Sequence, residues 1–325
     1  MDKEVILSIC VACYNQWHYI KECLDSIVKY EFLEQLEIVI IDDKSTDNSE
    51  DIIKKWIKNN PNISTAYSRN AENSWPWYTY NQAISMAQWE YISFMDADDY
   101  FIQSSLQDKI LYSKKHAVDI VYGNWSFLRN QELQTLPIHA SIDPILSLKD
   151  STLLYQTITS RVPMLSLSSS LIKKSFLSKI WGFDEHKLAI NDWILNIKMM
   201  RVLSEKDSSF WYDKRCVFAY RIHDNNISKN PWKQYSSFDY IINTYCPQQY
   251  HNQLYKDILF VTAIRYKMIG DMKNTIIYIN KLKTYISSRL MVIVAYIVAY
   301  IPLYILKKTE SSLRNIKQYF KWKLF

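Results

Sequence analysis

The sequence predicts an α/β fold in which a mostly parallel β-sheet is flanked by helices, followed by a helical extension at the carboxyl end. Short apolar runs rich in branched residues alternate with segments whose apolar residues recur every three or four positions, which is the pattern of parallel strands joined by helices. Polar clusters directly follow three of these runs, as expected at the edge of an open α/β sheet where ligands bind. Beyond residue 230 the chain changes to aromatic and amide-rich stretches with helical character.

Composition places the chain among folded globular proteins and excludes two nucleotide-binding motifs. The 325 residues are 48% hydrophobic and 22% charged, enough for one large domain or two smaller ones with their own cores. Gly123, Gly182 and Gly270 lie far apart and cannot form the glycine-rich loop of a Walker or dinucleotide-binding motif. If the chain binds a nucleotide, a metal ion or cationic side chains must therefore neutralise the phosphates.

The first hundred residues contain most of the predicted sheet. Four strands are predicted from short apolar runs, at residues 5–12, 36–41, 63–67 and 91–95. Three helices are predicted from apolar residues that share one face, at residues 17–28, 52–57 and 75–89. Asn15 stands where its side chain can cap the first of these helices.

The next hundred residues are less regular. A helix is predicted at residues 102–115 and a strand at 118–122, with loop structure from 124 to 148. The serine-rich segment 166–170 is predicted to be a buried strand, because it lacks the Gly-x-Ser-x-Gly pattern of a nucleophilic serine. Asp192 begins an apolar helix, and its simplest role is that of a helix cap.

Three polar clusters follow predicted strands: Tyr14-Asn15, Asp42-Asp43, and Asp96 to Asp99. Each cluster alone is explained by helix capping. Because the carboxyl ends of parallel strands meet at one edge, the three clusters together suit a nucleoside diphosphate. An aromatic ring can stack on the base, and acids can accept hydrogen bonds from the base and the ribose.

The acidic cluster of Asp96, Asp98 and Asp99 is a candidate metal site. Mg²⁺ and Mn²⁺ prefer oxygen ligands, and Mg²⁺ typically takes one or two protein carboxylates and completes its shell with water and substrate phosphates. The alternative for an isolated Asp-x-Asp is a solvated acidic turn that precedes the next helix. The predicted metal is therefore Mn²⁺ or Mg²⁺, on the diphosphate of a bound nucleotide.

Ordered motifs between residues 4 and 230 resemble those of the family 2 glycosyltransferases, which have the GT-A fold. The motifs are Ser8-Ile-Cys-Val-Ala-Cys-Tyr-Asn15, Glu22-Cys-Leu-Asp-Ser-Ile27, Ile40-Ile-Asp-Asp-Lys-Ser-Thr-Asp-Asn-Ser49, Asn81-Gln-Ala-Ile84, Glu90-Tyr-Ile-Ser-Phe-Met-Asp-Ala-Asp-Asp99, Trp181-Gly-Phe-Asp-Glu185, Asn191-Asp-Trp193 and Tyr220-Arg-Ile-His223. The resemblance is specific for the family and only weakly specific for the donor sugar.

The resemblance implies roles for the residues of the three clusters. Tyr14 would stack on uracil and Asp43 would contact the base. Asp96 would hold the ribose and metal region, and Asp98 would ligate the metal. His223 would reach the metal or the diphosphate, although a histidine in this context can also be purely structural. The implied set of nucleotide-sugar contacts is Ala12, Tyr14, Asn15, Asp42, Asp43, Asn81, Asp96 and Ala97.

The resemblance also implies the catalytic residue. The family carries an acidic pair where this chain has Asn191-Asp192, and the second member is kept. Asp192 would be the catalytic base that takes the proton from an acceptor hydroxyl as this hydroxyl attacks the anomeric carbon. Trp181, Gly182 and Asn191 are expected on the acceptor side.

Three positions depart from the family pattern. The family usually has proline where Ala12 stands, glycine where Lys44 stands and arginine where Tyr80 stands. The first two are expected to be tolerated because neither side chain performs chemistry. The third leaves the diphosphate contacts open, and Arg69 is a candidate substitute.

The carboxyl end has the composition of a membrane-associating segment. Residues 290–306 contain no charge and would reach roughly 25 Å as a helix, at the short end for a bilayer span. The tail that follows has six basic residues, one acidic residue and several aromatic ones, which suits an anionic membrane surface. The alternative for 290–306 is a buried core helix. Although the net charge is +6, no nucleic-acid-binding motif accompanies it, and nucleic acid is not an expected partner.

The expected domains are a catalytic domain at 1–230, a helical extension at 231–288 and a membrane-associating segment at 289–325. The five cysteines, an odd number, indicate a reducing compartment, and the amino terminus lacks a secretory signal. We therefore expect the protein at the cytoplasmic face of the bacterial cell membrane.

The expected function is an inverting, metal-dependent glycosyltransferase of the hexosyltransferase type, acting in bacterial surface polysaccharide synthesis such as that of O-antigen or capsule. The donor would be a nucleotide sugar, UDP-linked, and the acceptor an undecaprenyl-diphosphate-linked oligosaccharide. One alternative is a sugar nucleotidyltransferase, although such enzymes generally carry a glycine-rich loop near the amino terminus. Another is a catalytically silent membrane scaffold that binds nucleotide sugar.

Overall fold

The computed structural model describes residues 7–29, 36–102, 106–129, 132–133, 166–205, 210–224, 226 and 229–286. The chain divides into two compact units, residues 1–226 and 227–325. The first unit contains the sheet and the second contains helices.

The described part of the first unit alternates strands and helices. Its strands are β1 (Leu7–Cys13), β2 (Leu36–Asp42), β3 (Ser64–Arg69), β4 (Tyr91–Asp96), β5 (Tyr100–Phe101), β6 (Ile120–Arg129), β7 (Glu132–Leu133), β8 (Leu171–Lys173) and β9 (Phe210–Arg221). Its helices are α1 (Ile20–Ile27), α2 (Ser49–Asn59), α3 (Pro76–Met86), α4 (Leu106–His116), α5 (Lys174–Lys179) and α6 (Asp192–Glu205). The α/β fold predicted from the sequence is confirmed.

The described strands form one sheet in the order β3-β2-β1-β4-β8-β6-β9-β5, with β7 paired to β6. The first four strands of this order are mutually parallel. Beyond them the sheet is mixed, because β8 runs antiparallel to both β4 and β6, whereas β6 and β9 are parallel. The carboxyl ends of β1, β2, β4, β6 and β9 therefore point the same way.

The core lies on both faces of the parallel strands. Every residue of β1 and β2 is buried, as expected where helices cover both faces of a sheet. On one face Leu24 of α1 and Trp56 of α2 belong to the core, and the Trp56 indole donates to Asp25 Oδ1 at 2.8 Å, which joins the two helices. On the other face, α3 buries Tyr80 and Ala83. Burying a large apolar side chain contributes about 1.5–3 kcal/mol.

Residues 124–129 form a strand, so the prediction of a loop from residue 124 was wrong for this part. They extend β6, which is almost entirely buried. Trp125 stacks on Phe218 of β9 with ring centroids 5.8 Å apart, and the parallel pairing of β6 with β9 satisfies the backbone of both strands. The rest of the predicted loop, apart from residues 132–133, lies outside the described residues.

Two further local predictions were wrong. The serine-rich segment is buried as predicted, but it forms a 3₁₀ turn, Leu167–Ser169, instead of a strand. The Ser170 hydroxyl donates to the Leu167 carbonyl at 2.6 Å, a local bond that competes with strand pairing. Asn15 does not cap the first helix, because α1 begins only at Ile20 and the Asn15 side chain bonds to another loop.

The second unit contains α7 (Pro231–Tyr245), α8 (His251–Met268) and α9 (Met272–Lys283), which confirms the predicted helical extension. Asn230 caps α7 by accepting from the backbone of Lys233, and Asp271 caps α9 in the same way. Among the described residues, none of the helices is both long and apolar enough to cross a membrane. The apolar segment 290–306 lies outside the described residues.

Candidate active site

The loops after β1, β2 and β4 meet at one edge of the sheet. The backbone N–H of Asp43 donates to the Cys13 carbonyl at 2.8 Å, and that of Ala97 donates to the Ala12 carbonyl at 3.1 Å. These bonds continue the parallel pairing past the strand ends. The side chains of Ala12 and Ala97 are buried, so these two predicted nucleotide-sugar contacts can offer little besides backbone.

The acidic cluster lies at the end of β4. One carboxylate oxygen each from Asp96, Asp98 and Asp99 lies within 4.8 Å of the others. Burial and the negative charge of Asp98 raise the pKa of Asp96 to about 7. Burial and its two acidic neighbours likewise raise the pKa of Asp99 well above its usual range. A cation that binds among these oxygens would relieve this repulsion.

Tyr80 of α3 contacts the first acid of the cluster. Its side chain is 3% exposed, and its hydroxyl donates to Asp96 Oδ1 at 2.6 Å. Burial and the adjacent Asp96 carboxylate raise the pKa of Tyr80 well above its ordinary value, so the hydroxyl stays protonated and remains a donor. The position where the family resemblance leads us to expect arginine thus provides a neutral hydrogen-bond donor in this chain.

Arg221, the last residue of β9, ties the other two acids to the sheet. Its backbone N–H donates to Asp99 Oδ1 at 2.9 Å, and its Nε donates to the Asp98 carbonyl at 2.7 Å. The guanidinium also pairs with Glu22 at 2.9 Å. Arg221 is buried, so its positive charge offsets part of the negative charge of the cluster.

His223 lies two residues beyond β9 and faces the same cluster. Its Nε2 atom is 2.7 Å from Asp98 Oδ2, and both side chains are largely buried. The His223 ring also lies beside Tyr19, with centroids 5.0 Å apart. The structure therefore brings together Asp98 and His223, the two residues predicted as metal ligands.

Asn15 joins the first two loops of the edge. Its backbone N–H donates to Ser45 Oγ at 3.0 Å, and its Oδ1 accepts from the Thr46 N–H at 2.8 Å. Its side-chain oxygen is thus engaged within the protein. The neighbouring Tyr14 ring is 43% exposed, which suits the predicted stacking on a base.

The two acids after β2 have different surroundings. Asp42 is fully buried and accepts from Arg69 Nε and the Ser45 N–H, each at 2.9 Å. Arg69 also pairs with Glu50 at 3.0 Å, so the candidate substitute for the missing arginine is engaged in this network. Both oxygens of Asp42 are therefore engaged within the protein, and its contact with the nucleotide sugar stays a prediction.

Asp43 is held by two donors on one oxygen. Its Oδ1 accepts from Asn70 Nδ2 at 2.7 Å and from the Ser74 N–H at 2.9 Å. These bonds fix the carboxylate direction and leave Oδ2 as the oxygen with which Asp43 can contact a base. The segment 70–74 that supplies the donors was not identified from the sequence.

Asp192 is the first residue of α6, and its Oδ1 accepts from the Trp193 N–H at 2.9 Å. Burial raises the pKa of Asp192 to about 6. Its charge contributes to the raised pKa of Asp96, so the two carboxylates interact. Asn196 donates to the Asp192 carbonyl at 2.8 Å and accepts from the Tyr122 hydroxyl at 2.6 Å, which anchors the start of α6 on β6.

Asn81 and Asn191 hold the turn at residues 181–184. The Asn81 amide donates to the Phe183 carbonyl at 3.1 Å and accepts from the Phe183 N–H at 2.9 Å. Asn191 is fully buried and donates to the Asp184 carbonyl. Both amides are therefore engaged in positioning this turn, although Asn81 was predicted as a nucleotide-sugar contact.

The turn exposes an aromatic side chain. Trp181 is 89% exposed and has a φ of 60°, in the left-handed region that disfavours a bulky residue. Gly182 follows with the same φ, and a Cβ there would lie 2.5 Å from Asn81 Oδ1, so a larger residue would displace the Asn81 side chain. Of the three residues predicted on the acceptor side, Trp181 alone offers an accessible side chain.

The acidic cluster suits the predicted metal. Carboxylate oxygens are the preferred ligands of Mg²⁺ and Mn²⁺, and the added imidazole of His223 is compatible with Mn²⁺. The raised pKa values of Asp96 and Asp99 reflect negative charge that a divalent cation would neutralise. Asp98 and His223 would hold such a cation, with Asp96 alongside.

The sequence indicated the acids of this site better than their partners. Glu22 and Arg221 stand within recognised motifs, but nothing in their spacing predicted that they pair with each other. The hydrogen bond between Tyr80 and Asp96 was also not predicted, because the sequence marks Tyr80 only as a departure from the arginine of the family pattern. The one signal in the sequence was spacing, because Tyr80 stands three residues before Ala83 and the two therefore share the buried face of α3.

Comparison with known proteins identifies the family of the chain. The sequence model of the family described as Glycosyl transferase family 2 matches residues 8–181, which is more than half of the chain. A poly(ribitol-phosphate) beta-glucosyltransferase of Bacillus spizizenii is 28% identical over 211 residues, covering 63% of this chain and 32% of that protein. The chain thus matches about a third of the length of this curated relative.

Solved structures have the same fold. The complex of Staphylococcus aureus TarS with UDP-GlcNAc matches with a TM-score of 0.58 at 18% identity, covering 90% of this chain and 88% of that one. The mannosyltransferase PcManGT from Pyrobaculum calidifontis, in complex with GDP-Man and Mn²⁺, matches with a TM-score of 0.57 at 16% identity, covering 99% and 84%. These likenesses confirm the predicted GT-A fold.

Proposed function

Because the chain belongs to glycosyl transferase family 2, we propose that it transfers a hexose from a UDP-linked donor to a hydroxyl of a bacterial surface glycan, with inversion at the anomeric carbon. The observation that carries the proposal is the position of Asp192. Asp192 begins α6 as a partly buried carboxylate, and its charge contributes to the raised pKa of Asp96, which supports a base close to the candidate diphosphate site.

The donor would bind along the ends of β1, β2 and β4. Tyr14 offers an exposed ring for the base, and Asp43 offers its Oδ2 to a base N–H. Asp96 has Oδ1 bonded to Tyr80, which leaves Oδ2 for the ribose or the metal region. The proposed UDP preference draws on the resemblance of Tyr14 and Asp43 to uracil-binding residues, and on the UDP-GlcNAc bound by TarS.

Asp98 and His223 would hold Mn²⁺ or Mg²⁺, and such an ion stabilises the charge that develops on the leaving diphosphate. The Mn²⁺ complex of PcManGT supports metal dependence. Arg221 would assist from within the protein, because its buried guanidinium places positive charge beside Asp98.

Asp192 would act as the general base. Its raised pKa of about 6 makes it a stronger base than an ordinary carboxylate, while it remains ionised near neutral pH. The hydrogen bond from the Trp193 N–H and the anchoring of α6 by Asn196 fix its orientation. The acceptor hydroxyl would lose its proton to Asp192 as its oxygen bonds to the anomeric carbon and the bond to the diphosphate breaks.

A panel of nucleotide sugars with Mn²⁺ tests the reaction. Release of free nucleoside diphosphate together with a glycosylated acceptor is expected. Pyrophosphate release would instead identify a sugar nucleotidyltransferase. Tight binding of a nucleotide sugar without turnover, with every acceptor tried, would identify a binding scaffold.

We further propose that the acceptor is an undecaprenyl-diphosphate-linked oligosaccharide, used at the cytoplasmic face of the cell membrane. The uncharged segment 290–306 with its basic flanks supports this, because a lipid-linked acceptor requires the enzyme to stay at an anionic membrane surface. Removal of residues 289–325 is expected to release the protein from membranes, to preserve slow donor hydrolysis and to impair transfer to the lipid-linked acceptor. Full-length protein that stays off membranes, and that is equally active on an acceptor without lipid, would contradict the proposal.

A further inference from the structure

We propose that Tyr80 is a positioning residue that presents Asp96 to the nucleotide sugar and its metal. The inference rests on the proposed donor-binding role of Asp96 and adds the residue that orients it. Its basis is the bond from the Tyr80 hydroxyl to Asp96 Oδ1 at 2.6 Å, made by a side chain that is 3% exposed.

The hydroxyl selects which oxygen of Asp96 faces the ligand. A carboxylate has two oxygens, and Tyr80 occupies Oδ1 with a short hydrogen bond to a charged acceptor. Because the carboxylate group is planar and rigid, holding Oδ1 also fixes the direction in which Oδ2 points. Without the hydroxyl, the Asp96 side chain could rotate, and the direction of Oδ2 would no longer be fixed.

The ring of Tyr80 is itself held in place by aromatic neighbours. It packs edge-on against Phe94 with centroids 5.1 Å apart and stacks on Phe183 at 5.5 Å. Phe183 is stacked in turn by Trp77 at 5.4 Å, and its backbone is held on both sides by Asn81. A ring held by these two neighbours directs its hydroxyl toward Asp96.

The chemistry of the Tyr80 hydroxyl matters as well as the direction in which it points. Tyrosine donates a hydrogen bond without adding positive charge, whereas arginine at this position would bring a cation to the cluster. Asp96 is therefore oriented but not neutralised by Tyr80. The charge of the cluster remains to be balanced by Arg221 and by a divalent cation.

Tyr80→Phe removes the hydroxyl and keeps the packed ring. Mn²⁺-dependent binding of UDP, measured by titration calorimetry, is expected to weaken about 10- to 100-fold, the range for losing a hydrogen bond to a charged group. The donor KM is expected to rise more than kcat falls. Tyr67→Phe is the matched control, because the Tyr67 hydroxyl is also buried and has no hydrogen-bond partner among the described residues.

A double-mutant cycle separates positioning from general destabilisation. If Tyr80 acts through Asp96, Tyr80→Phe will cause little further loss of affinity in an Asp96→Asn background. Additive losses, equal losses in Tyr80→Phe and Tyr67→Phe, or unchanged affinity in Tyr80→Phe would each overturn the inference while leaving the proposed function intact. Wild-type protein that binds no nucleotide with Mn²⁺ would overturn the proposed function, and with it the role of Tyr80.

Discussion

The imidazole of His223 contacts the carboxylate of Asp98 across 2.7 Å, and this contact joins the chain after β9 to the loop after β4. The side chains of His223 and Asp98 are 10% and 14% exposed, so the pair is largely buried and does not lie on an open surface. Two ligand types that share a divalent cation in many proteins are thus already side by side.

Replacement of His223 by alanine is expected to weaken Mn²⁺-dependent UDP binding at least about 10-fold, because a nitrogen beside Asp98 is lost from the proposed metal site. Calorimetry of UDP at a series of Mn²⁺ concentrations measures the effect. His116→Ala, an exposed histidine at the end of α4, serves as the control and should bind like wild type. Identical Mn²⁺ dependence in His223→Ala and wild type would assign His223 a structural role.

Asp192→Asn is expected to reduce kcat by a factor of about 10² to 10⁴, the usual contribution of a general base, with nearly unchanged UDP affinity. In the wild type, kcat should fall as the pH drops through about 6, because protonated Asp192 cannot accept the acceptor proton. Steady-state rates between pH 5 and 8 measure this fall in kcat at acidic pH, which should disappear in Asp192→Asn. A matching loss of nucleotide affinity would show that Asp192 binds the donor and is not the base.

The parallel half of the sheet and the convergence of its loops could be predicted because both depend on local pattern. Apolar runs such as 91–95 indicate buried strands, and parallel strands bring their carboxyl ends together whatever the details of packing. The acids at 42–43 and 96–99 were accordingly located in advance. Their separate surroundings were not, because Asp42 is bonded by Arg69 and Ser45 and Asp43 by Asn70 and Ser74, partners that reach the two acids only in the folded chain.

Elements that depend on distant pairing were harder to predict. Residues 124–127 alternate polar and apolar side chains, and their strand pairs in parallel with β9, some ninety positions later in the chain. Gly123 is a similar case. A Cβ there would lie 2.0 Å from Lys109 Nζ, a constraint that no local pattern contains.

Lys44→Gly is expected to stabilise the protein by about 0.5–1 kcal/mol. Lys44 has a φ of 64°, a conformation that costs an ordinary residue roughly 1–2 kcal/mol and glycine almost nothing. The greater flexibility of glycine in the unfolded chain offsets part of the gain. Thermal unfolding should show a higher Tm, whereas Lys55→Gly, at an exposed position inside α2, should show a lower one. A lower Tm in both variants would mean that the Lys44 side chain makes stabilising contacts that exceed the backbone strain.

The amine of Lys109 is buried in the first unit, away from water. The side chain is fully buried, and Nζ has no hydrogen-bond partner among the described residues. Burial lowers the pKa of Lys109 from 10.5 to about 7, with Asp213 and Cys216 opposing the shift and Arg215 adding to it. Between pH 7 and 10.5 the folded protein therefore binds fewer protons at Lys109 than the unfolded chain, so this residue makes stability rise with pH across that window.

Lys109→Met is expected to stabilise the protein by on the order of 2 kcal/mol at pH 7, since it replaces a poorly solvated amine with an apolar side chain of similar length. The gain should be largest at or below pH 7 and should shrink as the pH approaches 10.5, where the unfolded chain also loses its proton. Denaturant unfolding at several pH values measures it. Lys115→Met, exposed on the same helix, should leave the pH dependence unchanged. If Lys109→Met lowers stability at every pH, the amine has a stabilising partner, and the burial penalty is not what sets its contribution.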